Sequence, residues 1–168
     1  MKTLRLACLA IPLLLVPAGC GPGAKPLSER DLNEMKALQA ESQYAMTMKQ
    51  WSRAESLYER AIKISPEVEF FHNLGSARMR LQNRAGAKEA YESGIRACDH
   101  LAAVKRGSTD PLLKKIQLLA LLGKVEEARA LQAKIDKEFR QDHAVRAFVD
   151  GKKLDALIAS PIFKEIAL

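Results

Sequence analysis

A chain of 168 residues, 48% of them hydrophobic, is long enough to bury one core, and 27 Lys and Arg against 20 Asp and Glu leave it a net charge of +7. The basic balance suggests nucleic acid, but an aromatic content of 5% is too low for a base-stacking surface, which excludes that partner. No CxxC, HExxH, Gly-rich phosphate loop or nucleophile elbow is present, so the sequence implies no metal, no cofactor and no catalytic residue.

The chain opens with basic Lys2 and Arg5, an apolar run over residues 6–16, and then Pro17-Ala18-Gly19-Cys20. This order reads as a secretory signal peptide over residues 1–19. As a helix the apolar run reaches about 16 Å, half of the ~30 Å of bilayer hydrocarbon, so it does not span. Ala18-Gly19-Cys20 resembles the bacterial lipobox, with Pro17 standing where that family usually has leucine. The resemblance implies lipidation of Cys20 and anchorage in the membrane, and Gly21 after the cysteine points to the outer membrane facing the periplasm. A soluble secreted or periplasmic protein is the alternative. Residues 20–30 hold Gly21, Pro22, Gly23 and Pro26 and read as a flexible tether. Loss of Lys2 and Arg5 with the leader lowers the net charge from +7 to +5. Cys8 leaves too, so with Cys20 acylated Cys98 is the one free thiol, packed as a small hydrophobe; an unacylated Cys20 could instead bridge to it.

From Ser28 a helical period begins, with Leu32, Met35, Leu38, Ser42, Ala45 and Met46 at steps of three and four. A turn over residues 47–50 leads to Trp51, and Trp51, Ala54, Leu57, Tyr58, Ala61, Ile62 and Ile64 mark the inner face of a second helix, ended by Pro66. The next pair carries Phe71, Leu74, Gly75 and Leu81, a turn at Gln82-Asn83-Arg84, and then Ala87, Ala90, Tyr91, Gly94, Ile95 and Cys98. After a polar break over residues 105–109, Asp110 reads as an N-cap with Pro111 at the first helical position. A third pair is predicted over residues 111–122 and 125–140, joined at Gly123.

Ala54-x-x-x-Tyr58 with Ala61 recurs 33 residues later as Ala87-x-x-x-Tyr91 with Gly94. Together with Phe71, Leu74-Gly75 and Pro66, this spacing resembles the tetratricopeptide repeat. Arg78 departs from the pattern, where a tyrosine is usual, and the third pair keeps Ala128 but has Gln132 in place of the aromatic. The resemblance implies an all-α fold, a short right-handed αα-solenoid of about three helix pairs. Its repeats would cover residues 31–67, 68–104 and 105–140, with a capping segment over 141–168 in which a last aromatic covers the end of the stack.

By the same resemblance, Ala54, Tyr58, Ala61, Phe71, Leu74, Gly75, Ala87, Tyr91, Gly94 and Ala128 pack the repeats, and the first helix of each pair lines a concave trough. The trough positions are Gln39, Gln43 and Met46, then His72, Asn73, Ser76 and Arg80, then Leu113, Lys114 and Gln117. Amides and a histidine there suit the backbone of a protein or peptide partner. The carboxylate clamp of some family members is excluded, because Asp110 would repel a carboxylate. Cys98-Asp99-His100 is the densest group of metal-capable side chains, but neighbours one and two apart on a helix diverge. The reading is thus an envelope-anchored, non-enzymatic adaptor. Its alternative is a structural lipoprotein that self-associates, through Trp51 or the cap, or attaches to anionic lipid or wall polymer.

Overall fold

The computed structural model describes residues 26–168, and all regular structure among them is helical. The predicted signal peptide over residues 1–19 and the predicted lipidation site Cys20 lie outside the described residues. Helix α1, Glu29–Thr47, begins where the Ser28 hydroxyl accepts from the Asp31 N–H at 3.1 Å, with Glu29 and Asp31 in its first turn. Then follow α2, Trp51–Ile64, α3, Val68–Arg80, and α4, Arg84–Val104. Pro66, which lacks an N–H, keeps α2 from running on into α3.

Helix α5 is Asp110–Leu121 and α6 is Val125–Glu138. Asp110 is the first helical residue and not the cap: Thr109 holds the N-cap position, and its hydroxyl lies 3.1 Å from the Asp142 carboxylate. Three short helices complete the described chain, α7, His143–Val149, α8, Lys153–Ala159, and α9, Pro161–Ile166. Asp142 caps α7 by accepting from Ala144 and Val145, and these bonds, the Val145 one foremost, hold its carboxyl below the usual aspartate value.

One turn closes three of the helix pairs. In each, a residue with positive φ follows the helix: Lys49 at 57°, Gln82 at 62° and Gly123 at 74°. The next N–H reaches back to the carbonyl five residues earlier, Gln50 to Ala45 and Asn83 to Arg78 at 2.8 Å and Lys124 to Leu119 at 2.9 Å. The left-handed residue's own N–H bonds the carbonyl three before it, to Met46, Met79 and Ala120. This is the Schellman arrangement, which satisfies the last carbonyls and reverses the chain within three residues. Each helix from α1 to α6 therefore packs on its neighbour in sequence.

Small residues set how closely the pairs approach. Ala54, Ala61, Ala87 and Ala128 are fully buried, and Tyr58 and Tyr91 fill the space that they leave. Gly75 lies against the Tyr91 ring, and Gly94 against Leu118 and Phe71. The buried aromatic of α3 is Phe70, its ring centroid 6.2 Å from that of Tyr58, while Phe71 is half-buried. Leu32 is 37% exposed and lies outside the core. Arg78, the departure from the repeat pattern noted in the sequence, reaches Glu55 at 2.9 Å, Glu59 at 2.7 Å and the Gly86 carbonyl at 3.0 Å, so charge-assisted hydrogen bonds tie α2, α3 and α4 together.

The final segment is not simply a lid on the last pair. Helix α7 packs on α5 and α6, and α8 on α5, but α9 turns back to pack on α3.

Candidate functional site

Four of the trough residues meet. His72 and Asn73 from α3 and Lys114 and Gln117 from α5 line one cleft of about 130 Å³, together with Val68, Glu69 and Leu118. Val68 and Leu118 are buried and form an apolar floor. His72, Asn73, Lys114 and Gln117 are partly exposed, so their polar groups reach the opening.

The charges are internally balanced. The Lys114 Nζ lies 2.6 Å from Glu69 and 2.8 Å from Asp110. Burial pulls the ammonium down, and the bonds to Asp110 and Glu69 outweigh that, so its pKa stands above the ordinary lysine value. His72 Nδ1 lies 3.2 Å from the Asn73 side-chain oxygen. Burial lowers its pKa, with Asn73 and Glu69 opposing, which favours the neutral ring. One cation held by two carboxylates leaves a mildly negative rim, flanked by a neutral imidazole and two amides. Such a set can exchange hydrogen bonds with a peptide backbone and does not attract a carboxylate.

The other predicted contact residues are placed differently. Ser76 is buried, its hydroxyl donating to the His72 carbonyl at 3.0 Å, so its polar group is used within α3. Arg80 sits over the Trp51 ring at 4.8 Å and 3.3 Å from Glu165, which engages its charge within the fold. Leu113 packs against the core of the C-terminal half, and Met46 against that of the N-terminal half. Gln39 and Gln43 on α1 do not line the cleft, and Gln43 is exposed. Reading the sequence missed three lining residues, the floor residues Val68 and Leu118 and the charged Glu69, one turn before His72 and Asn73; its pairing with Lys114 emerges only once α3 and α5 are adjacent.

A wider cavity of about 680 Å³ lies between the α2–α3 turn and α4, lined mainly by apolar groups including Phe71, Ala97 and Leu101. Among the described residues no group of three or more His, Cys, Asp or Glu is placed to hold a metal ion. Cys98 is buried, while Asp99 pairs with Lys115 at 2.6 Å. No helix among the described residues is long and apolar enough to cross a membrane.

No protein-family model, curated protein or solved structure matches the chain.

Proposed function

We propose that this protein is a non-enzymatic adaptor, a short tetratricopeptide solenoid of three helix pairs that binds a segment of a protein partner in the groove between α3 and α5. The observation that carries the reading is the meeting of His72, Asn73, Lys114 and Gln117 in one cleft, from two helices over 30 residues apart in sequence. Two features support the repeat assignment. The same Schellman turn closes three pairs, and the repeated small and aromatic residues sit buried where the pairs touch. In this reading residues 1–19 export the chain, and a lipid on Cys20 holds it at the bacterial outer membrane. The part of the partner segment that enters the cleft is neutral or basic, because Glu69 and Asp110 already hold Lys114 and would repel an acid there.

Crosslinking in the native envelope, with mass spectrometry of the captured proteins, tests this. The wild type is compared with a His72→Ala/Asn73→Ala/Gln117→Ala variant whose helicity and melting are unchanged. A partner held by the wild type and lost from the variant is expected. Equal capture by both would rule out the cleft as the binding surface.

A further inference from the structure

The groove between α3 and α5 is open in one half and filled in the other. The cleft takes up the N-terminal part of α3, residues 68–73, and the chain's own residues 163–168 cover the C-terminal ends of both helices. Ile166 is 5% exposed in a cluster with Tyr91, Leu118 and Leu121, and Leu118 also lines the open cleft. The Tyr91 hydroxyl donates to the Ile166 carbonyl at 2.7 Å, and the Leu168 N–H donates to the Leu121 carbonyl at 2.9 Å. The Glu165 carboxylate lies 3.3 Å from the Arg80 guanidinium.

We propose that α9 is a displaceable strap that stands in for the partner: the groove accepts a short segment with two apolar residues three apart and an acid before the second, and the partner's segment displaces residues 161–168 to occupy its full length. This rests on the groove-binding reading above. The acid faces Arg80, in the covered half, and so stays clear of Glu69 and Asp110.

Three features mark α9 as removable. It has six residues, too few for a helix to hold itself together, so its order comes from docking. Ile166 is its only buried side chain, with Phe163 half-buried and Ile162 57% exposed, whereas two buried side chains, Val145 and Phe148, anchor α7. Its link to α8 is one extended residue, Ser160, which serves as C-cap of one helix and N-cap of the next and can act as a hinge. The two main-chain bonds, from Tyr91 and to Leu121, read backbone groups, so any segment of suitable shape can inherit them. Burial pushes the Tyr91 hydroxyl up to about 12, which keeps it protonated as a donor.

Two measurements on the mature chain test the strap. Hydrogen exchange of the wild type should show the Ala167 and Leu168 amides, which bond to Phe163 and Leu121, exchanging about 100-fold faster than core amides of α4. Exchange at the α4 rate would make α9 an integral part of the fold and overturn the proposal. In the second, a fluorescent synthetic peptide of residues 159–168 is titrated against wild type and against Ile166→Asp, which frees the strap. Binding about 10-fold tighter to the variant is expected, because the wild-type groove is occupied for most of the time. Equal binding by both, or none by a variant that melts cooperatively, would overturn it; should the variant not fold, the exchange measurement decides. Neither measurement uses His72, Asn73, Gln117 or an envelope partner. A failure of the strap therefore shows here, and a failure of the adaptor reading shows in the crosslinking.

Discussion

Replacing Gly75 by alanine is expected to destabilise this protein, although in an ordinary helix interior the same change gains about 1 kcal/mol. A Cβ at position 75 would stand 2.5 Å from Tyr91 Cδ1 and 2.7 Å from Cζ, inside any real carbon–carbon contact. The ring has no free direction in which to yield. It is fully buried, and its hydroxyl is tied to the Ile166 carbonyl at 2.7 Å, so a shift of the ring also loosens α9. Overpacking costs about 1–3 kcal/mol and the lost hydrogen bond about 1 kcal/mol, which together exceed the propensity gain and leave a net loss of about 2 kcal/mol. Urea unfolding followed by circular dichroism reads this directly: with a slope of about 1–3 kcal/mol per molar, the midpoint falls by about 1 M. In a Tyr91→Phe background the cost should shrink by the hydrogen bond's share, about 1 kcal/mol. A midpoint equal to or above that of the wild type would refute the close seating of Gly75 under Tyr91, and with it the packing of α3 on α4.

Tyr58→Ala removes a ring 1% exposed between α1, α2 and α3 and should cost about 3–5 kcal/mol in the same assay; a near-neutral result would contradict its place in the core. Cys98 is buried, and burial first, then Asp99, pushes its thiol up to about 12, so iodoacetamide should modify it only as fast as the protein unfolds. Modification at the rate of a free thiol would place Cys98 at the surface. Burial holds the folded His72 pKa below 6.5, so its contribution to stability is fully present above pH 6.5 and is lost as pH falls through the folded value. The melting temperature should drop as the pH falls below 6.5 more in the wild type than in His72→Gln, and equal slopes would show that His72 is solvated.

The helices were legible wherever local chemistry decides them. Ser28 at the start of α1, Pro66 after α2, Asn83 before α4 and Gly123 before α6 act within a few residues, and the period of small and apolar residues marked each buried face. The register within a face is not set locally: Phe70 and Phe71 are adjacent, and only the approach of Tyr58 selects the first for the core. Arg78 broke the repeat pattern in the sequence, and its reason lies in Glu55 and Glu59 on another helix. The path of α9 had no local signal at all. Its position depends on a hydroxyl and a carbonyl 75 residues apart, and a six-residue segment has no periodicity from which to read a destination.

Position along the first helix of each pair puts His72, Asn73, Lys114 and Gln117 in the predicted trough, and the structure brings these four to one cleft between α3 and α5. The same rule selects Ser76 and Arg80, but Ser76 is buried with its hydroxyl on the His72 carbonyl, and Trp51 and Glu165 hold Arg80. Whether a residue on the correct face reaches solvent depends on what packs above it, which for Arg80 is Trp51 of α2 and Glu165 of α9.

The central claim, that the α3–α5 cleft is where a partner binds, is tested most directly by placing a photo-crosslinking amino acid at Gln117 in the cleft and, separately, at exposed Lys134 on α6. One discrete adduct is expected on irradiation of the native envelope from position 117, absent from position 134 and lost when His72 and Asn73 are both alanine. The same adduct from position 134, or an adduct at 117 that survives the loss of His72 and Asn73, would contradict it.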